Sequence, residues 1–245
     1  MAALTAKLFL SQLSGLRSIA ELKNVQRFFR DKNPGNKFLG VRMSAIFELA
    51  KQFTDMPAVE IEKLIRNEYY EARMGAVSIM DFQARNRKTT PERKKELFDL
   101  YINNHNNINN WDLVDRSAPY VVGGYLFDKP RTILYQLAGS GNAWERRTAI
   151  VSTYFFIRQN DLSDTFRIAE LLINDPHDLI QKAVGSWIRE AGKRDKPALV
   201  EFLDHHAYAM PVVMLRYAIE KLDKKEKQLY LKSNALLNKT PLDNC

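Results

Sequence analysis

Apolar residues recur at three- and four-residue spacing along almost the whole chain, and almost nowhere in the strict alternation that a half-buried strand requires. That period predicts helices at 4–14, 16–31, 42–53, 58–66, 69–86 and 91–104. Later helices are expected at 110–116, 119–127, 131–138, 143–159, 163–173, 177–193, 196–206, 211–222 and 225–233. One short run, 119–122, has strand-like composition, but its pattern continues at helical spacing through Tyr125 and Leu126. Breaks are short and carry turn residues, as in Lys32-Asn33-Pro34-Gly35-Asn36, Gly139-Ser140-Gly141 and Asn174-Asp175-Pro176. The expected class is all-α, in a single domain over 1–245.

A weak repeat runs through these helices. Ala45, Ala76, Ala118, Ala149, Ala183 and Ala218 each precede an apolar residue or proline in alternate helices, at successive spacings of 31, 42, 31, 34 and 35. One helix pair per unit fits those intervals, so the expected architecture is a HEAT-like helical-repeat solenoid whose inner helices line a concave face. Three residues before the alanines stand Arg42, Arg73, Asp115, Arg146, Ile180 and Leu215. Asp115 therefore occupies a slot that three sister repeats fill with arginine.

The charge balance follows the same pattern. Thirty-seven Lys and Arg against 29 Asp and Glu give a formal net charge of +8, which favours an anionic partner. Arg42, Arg73, Arg146, Arg147, Lys182, Arg189 and Arg216 fall on or near the inner helices, so a basic concave face can follow a phosphate backbone. The competing reading is a solvated face on which these arginines pair with Glu48, Glu71, Glu145 and Glu190.

Trp111 and Asp115 are four apart in a segment of helical character, which stacks an indole and a carboxylate on one face around one small group. Other chemistries find little support. No pair among His105, His177, His205 and His206 has the spacing of a helical metal site, and the single cysteine, Cys245, excludes a disulfide framework or thiolate zinc site. Gly123-Gly124 lacks the lysine of a phosphate loop. No apolar run reaches 18 residues and no signal-cleavage pattern follows Met1–Ala20, so a cytosolic protein without a membrane span is expected.

Four separated motifs carry a family resemblance: 110–115 (Asn-Trp-Asp-Leu-Val-Asp), 144–151 (Trp-Glu-Arg-Arg-Thr-Ala-Ile-Val), 178–190 with Lys182-Ala183-Val184-Gly185 and Arg189-Glu190, and 214–219 (Met-Leu-Arg-Tyr-Ala-Ile). In consistent order from about Phe28 to Leu231, they resemble the DNA alkylation repair enzymes, the AlkD-like HEAT-repeat DNA glycosylases. The resemblance implies an alkylpurine DNA glycosylase that removes cationic 3-methyl- and 7-methylpurines from duplex DNA with no metal or other cofactor. It makes Trp111 the active-site tryptophan, Asp115 the catalytic aspartate and Arg147 a backbone-clamping arginine. From the basic face come the further candidates for DNA contact, Arg73, Arg146, Lys182, Arg189 and Arg216, and the expected protein is a monomer acting in the cytoplasm at the nucleoid. The alternatives are a DNA-binding relative with little or no excision activity and a HEAT-type protein scaffold.

Two positions depart from the family pattern. Where the family has Trp after the glycine of Lys182-Ala183-Val184-Gly185, this chain has Ser186, with Trp187 one place later. Where some members carry an active-site tyrosine near the N-terminus, Phe28 stands. On the helix 177–193, Trp187 joins the apolar stripe of Ile180, Ala183, Val184, Ile188 and Ala191, whereas Ser186 falls with Lys182, Arg189 and Lys193 on a polar stripe. Ser186 is therefore expected to face the DNA and Trp187 the core.

Overall fold

The computed structural model describes residues 3–29 and 36–237, with backbone only at 26–29 and 236–237. It is all-α, a helical-repeat fold with no strand among the described residues beyond an isolated bridge between Lys37 and Tyr69. Contacts divide the chain into two compact units, Met1–Tyr125 and Leu126–Cys245.

The first unit contains α1 (Ala6–Gly15), α2 (Ile19–Phe29), α3 (Met43–Gln52), α4 (Ala58–Ile65), α5 (Tyr70–Arg85), α6 (Pro91–Asn103) and α7 (Trp111–Ala118). A π-helical turn, Pro119–Gly123, continues from α7 into the short α8 (Gly124–Leu126). The second unit contains α9 (Thr132–Ala138), α10 (Ala143–Arg158), α11 (Ser163–Leu171), α12 (Asp178–Gly192), α13 (Lys196–His206), α14 (Val212–Ala218) and α15 (Lys224–Leu237). Helix starts follow local chemistry: Thr5, Thr90, Asn142 and Asp195 each turn a side-chain oxygen onto a first-turn backbone N–H. Pro91 and Pro197 sit in first turns, where their missing N–H costs nothing.

The core of the first unit is α5, which packs against α3, α4, α6 and α7. Thirteen of its sixteen residues are buried, so this helix is enclosed on all sides instead of carrying one apolar stripe. Burial of each large aliphatic side chain there contributes about 1.5–3 kcal/mol. In the second unit α12 takes the equivalent place, against α10, α11, α13 and α14. Gly185 makes the α12–α14 approach feasible, because a Cβ there would lie 2.3 Å from the Met214 carbonyl oxygen. Five of the six repeat alanines are buried at 0–2% exposure, and Ala45 is half-buried. Small side chains at these helix contacts thus account for the repeat seen in the sequence.

Candidate active site

Helix α7 is short and strongly two-faced. Asn110, itself fully buried, caps it by accepting the Trp111 N–H at 2.9 Å, which fixes where the first turn begins. Leu113, Val114, Ser117 and Ala118 are buried, and the helix packs on α5. The opposite face presents Trp111, Asp112, Asp115 and Arg116 to a cavity of about 610 Å³. Glu21, Asn24 and Val25 of α2, Val41, Arg42, Met43 and Phe47 at and before α3, and Tyr70 and Met74 of α5 complete its lining. Its volume lies within the range of about 300–1,000 Å³ usual for small-molecule sites. The four-residue spacing of Trp111 and Asp115 thus does place indole and carboxylate on one cavity wall.

The helical path around Asp115 corrects the sequence reading, which ended one helix at 116 and began another at 119. The backbone instead remains helical from Trp111 to Leu126. Pro119 stands four residues after Asp115 and has no N–H to return to the Asp115 carbonyl. The chain widens into a π turn there, with the Gly124 N–H bonding to the Pro119 carbonyl.

The cavity wall is fixed by buried charges. Glu71, fully buried, accepts the backbone N–H of Leu39 at 2.9 Å and of Gly40 at 2.8 Å, which ties the segment before α3 to α5. Gly40 adopts φ +81 in this segment, and a Cβ would meet the Ser18 carbonyl oxygen at 2.6 Å, so glycine is required. Val41 and Arg42 are thereby held on the wall, where Arg42 pairs with Glu21 at 2.9 Å. Arg116 donates to the buried Asp81 carboxylate at 2.8 Å and to the Ser78 hydroxyl at 3.1 Å, and its guanidinium lies over the rings of Phe47 and Phe82. Burial holds the Asp81 carboxyl above its ordinary range, against the pull of Arg116 and Arg85.

Tyr70 donates its hydroxyl hydrogen to Asp112 Oδ2, and the Leu113 N–H donates to Asp112 Oδ1 at 2.9 Å. Burial pushes the Asp112 carboxyl up to about 6, while these two hydrogen bonds oppose the rise. Burial and the neighbouring Asp112 charge also raise the Tyr70 phenol. Tyr70 and Glu21 escaped the sequence reading, in which Asp112 stood only within the 110–115 motif, as the carboxylate to consider after Asp115. A usable signal was nonetheless present: Glu71 and Arg73 interrupt an otherwise apolar helix, and charges on an enclosed helix must be serving specific partners.

A family model described as DNA alkylation repair enzyme matches residues 9–222. The chain belongs to the DNA alkylation repair enzyme family. A solved structure from Enterococcus faecalis, described as a predicted DNA alkylation repair enzyme, shares its fold with a TM-score of 0.67 and 16% identity. That match covers 85% of this chain and 97% of the other. No curated protein matches the sequence. Membership supports a role in DNA alkylation repair.

The remaining expected site residues of this DNA alkylation repair family member differ in how much surface they offer. Arg73 is 5% exposed, and its guanidinium donates to the carbonyls of Asn67 and Glu68 and to the Asn36 side chain. A phosphate contact does not fit that placement, and burial lowers the guanidinium's affinity for its proton. Phe28 lies on α2, and its side chain falls outside the described residues. In the second unit Arg146 binds the Asp175 carboxylate at 2.5 Å and the Ser140 carbonyl at 2.9 Å. Arg147 is 6% exposed and donates to the Leu179 carbonyl, which bridges α10 to α12.

Lys182 pairs with Asp178 at 2.6 Å, and Arg189 pairs with Glu190 and Glu220. Ser186 is half-buried, and Arg216 is exposed. Trp187 is half-buried rather than enclosed, with its indole N–H on the Val151 carbonyl at 3.1 Å and its ring against Tyr154. It supports the α10–α12 contact as expected of the apolar stripe, without being fully buried.

Among the described residues no group of three His, Cys, Asp or Glu is arranged to hold a metal ion. No described helix is long and apolar enough to cross a membrane.

Proposed function

We propose that this protein is a DNA glycosylase that excises cationic N-alkylated purines, of the 3-methyladenine and 7-methylguanine type, from duplex DNA. The observation that carries this reading is the cavity shared by Trp111 and Asp115 in a chain of the DNA alkylation repair family.

Alkylation at a ring nitrogen leaves the purine positively charged, so the bond to C1′ already ends in a good leaving group. As that bond breaks, its electron pair neutralises the purine and positive charge moves to the sugar. Asp115 stabilises the developing oxocarbenium ion and orients the water that adds at C1′, and the water's second proton leaves to solvent. Trp111 offers a π face that attracts both the cationic base and the sugar cation. Arg146, Lys182, Ser186, Arg189 and Arg216 supply backbone contacts to the duplex, while Arg147, 6% exposed, acts by holding α10 to α12 through the Leu179 carbonyl. On this reading the protein is a monomer acting on nucleoid DNA in the cytoplasm, without a metal or other cofactor.

Ser186, in place of the family tryptophan, favours a second reading: a DNA-binding relative with little excision activity. Release of free base from methylated duplex DNA, measured beside binding to the same DNA, separates the two. Wild-type protein should release 3-methyladenine and 7-methylguanine, and Asp115→Asn should lower release by about 10²- to 10³-fold with binding retained. Binding without release by the wild type would leave the second reading. Unchanged release by Asp115→Asn would move the chemistry away from this carboxylate.

A further inference from the structure

Asp112 has no part in the chemistry proposed above, yet it lines the same cavity as Asp115, three residues on along α7. Tyr70 reaches it from α5, and both side chains belong to the wall. We propose that the Tyr70–Asp112 pair is the specificity-determining element of this site, a second carboxylate beside Asp115 that favours cationic over neutral ring systems in the cavity. The proposal rests on the glycosylase reading for the identity of its natural substrate.

The charges around Asp112 support this role. From α7 it faces Asp115, whose negative charge disfavours ionisation of Asp112. From α5 it meets Tyr70, with Glu71 committed to the N–H groups of Leu39 and Gly40 and Arg73 to the carbonyls of Asn67 and Glu68. The two arginines on the cavity wall are likewise engaged, Arg42 with Glu21 and Arg116 with Asp81. Two carboxylates three residues apart on a helix, in a partly desolvated cavity, repel one another when both are ionised. A cation entering between Trp111 and these carboxylates relieves that repulsion, and a neutral base does not.

The pair also makes the preference depend on pH. The Asp112 carboxyl titrates near 6, so the second negative charge is present at neutral pH and is lost as pH falls through that value. Tyr70 holds the ionised form by donating to it. Without that hydrogen bond the carboxylate is less stable, and the midpoint moves upward.

Two measurements on the full chain test this. In the first, 1-methylnicotinamide, a flat monocation, and neutral nicotinamide are titrated against the protein by NMR from pH 5 to 8, with Trp111→Ala as the control for binding in the cavity. In the second, release of 7-methylguanine is compared with release of neutral hypoxanthine from matched duplexes. Wild-type protein should prefer the cation in both, with the preference falling below a midpoint near pH 6. Asp112→Asn should reduce the preference roughly tenfold and remove the pH step, while Tyr70→Phe should keep the step and move its midpoint up by about one unit.

A folded Asp112→Asn protein with the wild-type preference and pH step would overturn the proposal. So would a Tyr70→Phe midpoint that does not move, a test that stands even if Asp112→Asn does not fold, because it removes a single oxygen. If wild-type protein releases neither base, the glycosylase reading fails, and the titration with the nicotinamide pair still decides the role of Asp112.

Discussion

The Glu71 carboxylate holds the Gly40 N–H at 2.8 Å, joining α5 to a segment 31 residues earlier in the chain. A fully buried anion is tolerated there because backbone N–H groups of Leu39 and Gly40 converge on it. Glu71→Gln removes the charge and turns amide hydrogens toward those donors. We expect a loss of about 3 kcal/mol, read as a lower urea midpoint with an unchanged slope. Because Val41 and Arg42 follow directly on the cavity wall, base release should fall as well. A variant with wild-type stability would show that the segment is held by other contacts.

Stability should depend on pH through Asp112. Its folded-state value is raised from 3.8 to about 6, so its favourable contribution is fully present below pH 4 and is lost as pH rises through about 6. Asp112→Asn has no such loss. The variant should be more stable than wild type by about 1–2 kcal/mol at pH 7, and the difference should vanish at pH 4. Melting curves at pH 4, 5, 6 and 7 check the sign, and a gain that is equal at pH 4 and pH 7 would contradict it.

Two arginines expected on the same face should separate cleanly. Arg216 is exposed, so Arg216→Ala should leave the melting temperature near wild type and reduce the slope of log affinity against log salt by roughly 1. Arg73 is 5% exposed and bonded to two backbone carbonyls, so Arg73→Ala should lower stability by about 3–5 kcal/mol and leave the salt slope unchanged in the protein that remains folded. The reverse pattern would exchange their roles.

Neighbouring positions on α12 should also diverge. Gly185→Ala places a methyl 2.3 Å from the Met214 carbonyl oxygen and should cost about 3 kcal/mol by forcing α12 from α14. Ser186 is half-buried, and Ser186→Trp should keep the melting temperature within a few degrees while changing the rate of base release. Paired melting and release measurements distinguish them. Normal melting of Gly185→Ala would mean that the helices can separate without cost.

How far the sequence carries depends on whether the decisive contact is local. Trp111 and Asp115 are related by one turn of one helix, so spacing alone brings them together. The repeat alanines were legible for a related reason, since small residues recur where helices meet. Slot equivalence in the repeat did not fix exposure, however: Arg42 and Arg73 occupy matching slots, yet one is exposed and the other is buried under backbone carbonyls. Glu71 was expected as a candidate ion-pair partner for solvated arginines. Its partners are amides some thirty residues away, which no local pattern marks. The break expected before Pro119 failed because a π turn absorbs the missing N–H and keeps the helix continuous.

Every residue lining the 610 Å³ cavity lies between Glu21 and Arg116, inside the unit Met1–Tyr125, whereas most of the basic residues proposed to meet DNA lie beyond Leu126. Chains emerge from the ribosome N-terminus first, at about 5–20 residues per second, and compact units tend to fold as they emerge. The carboxylate-walled cavity can therefore close several seconds before the cationic residues that would meet DNA have been synthesised. A nascent chain would carry its reactive centre without most of its grip on the genome.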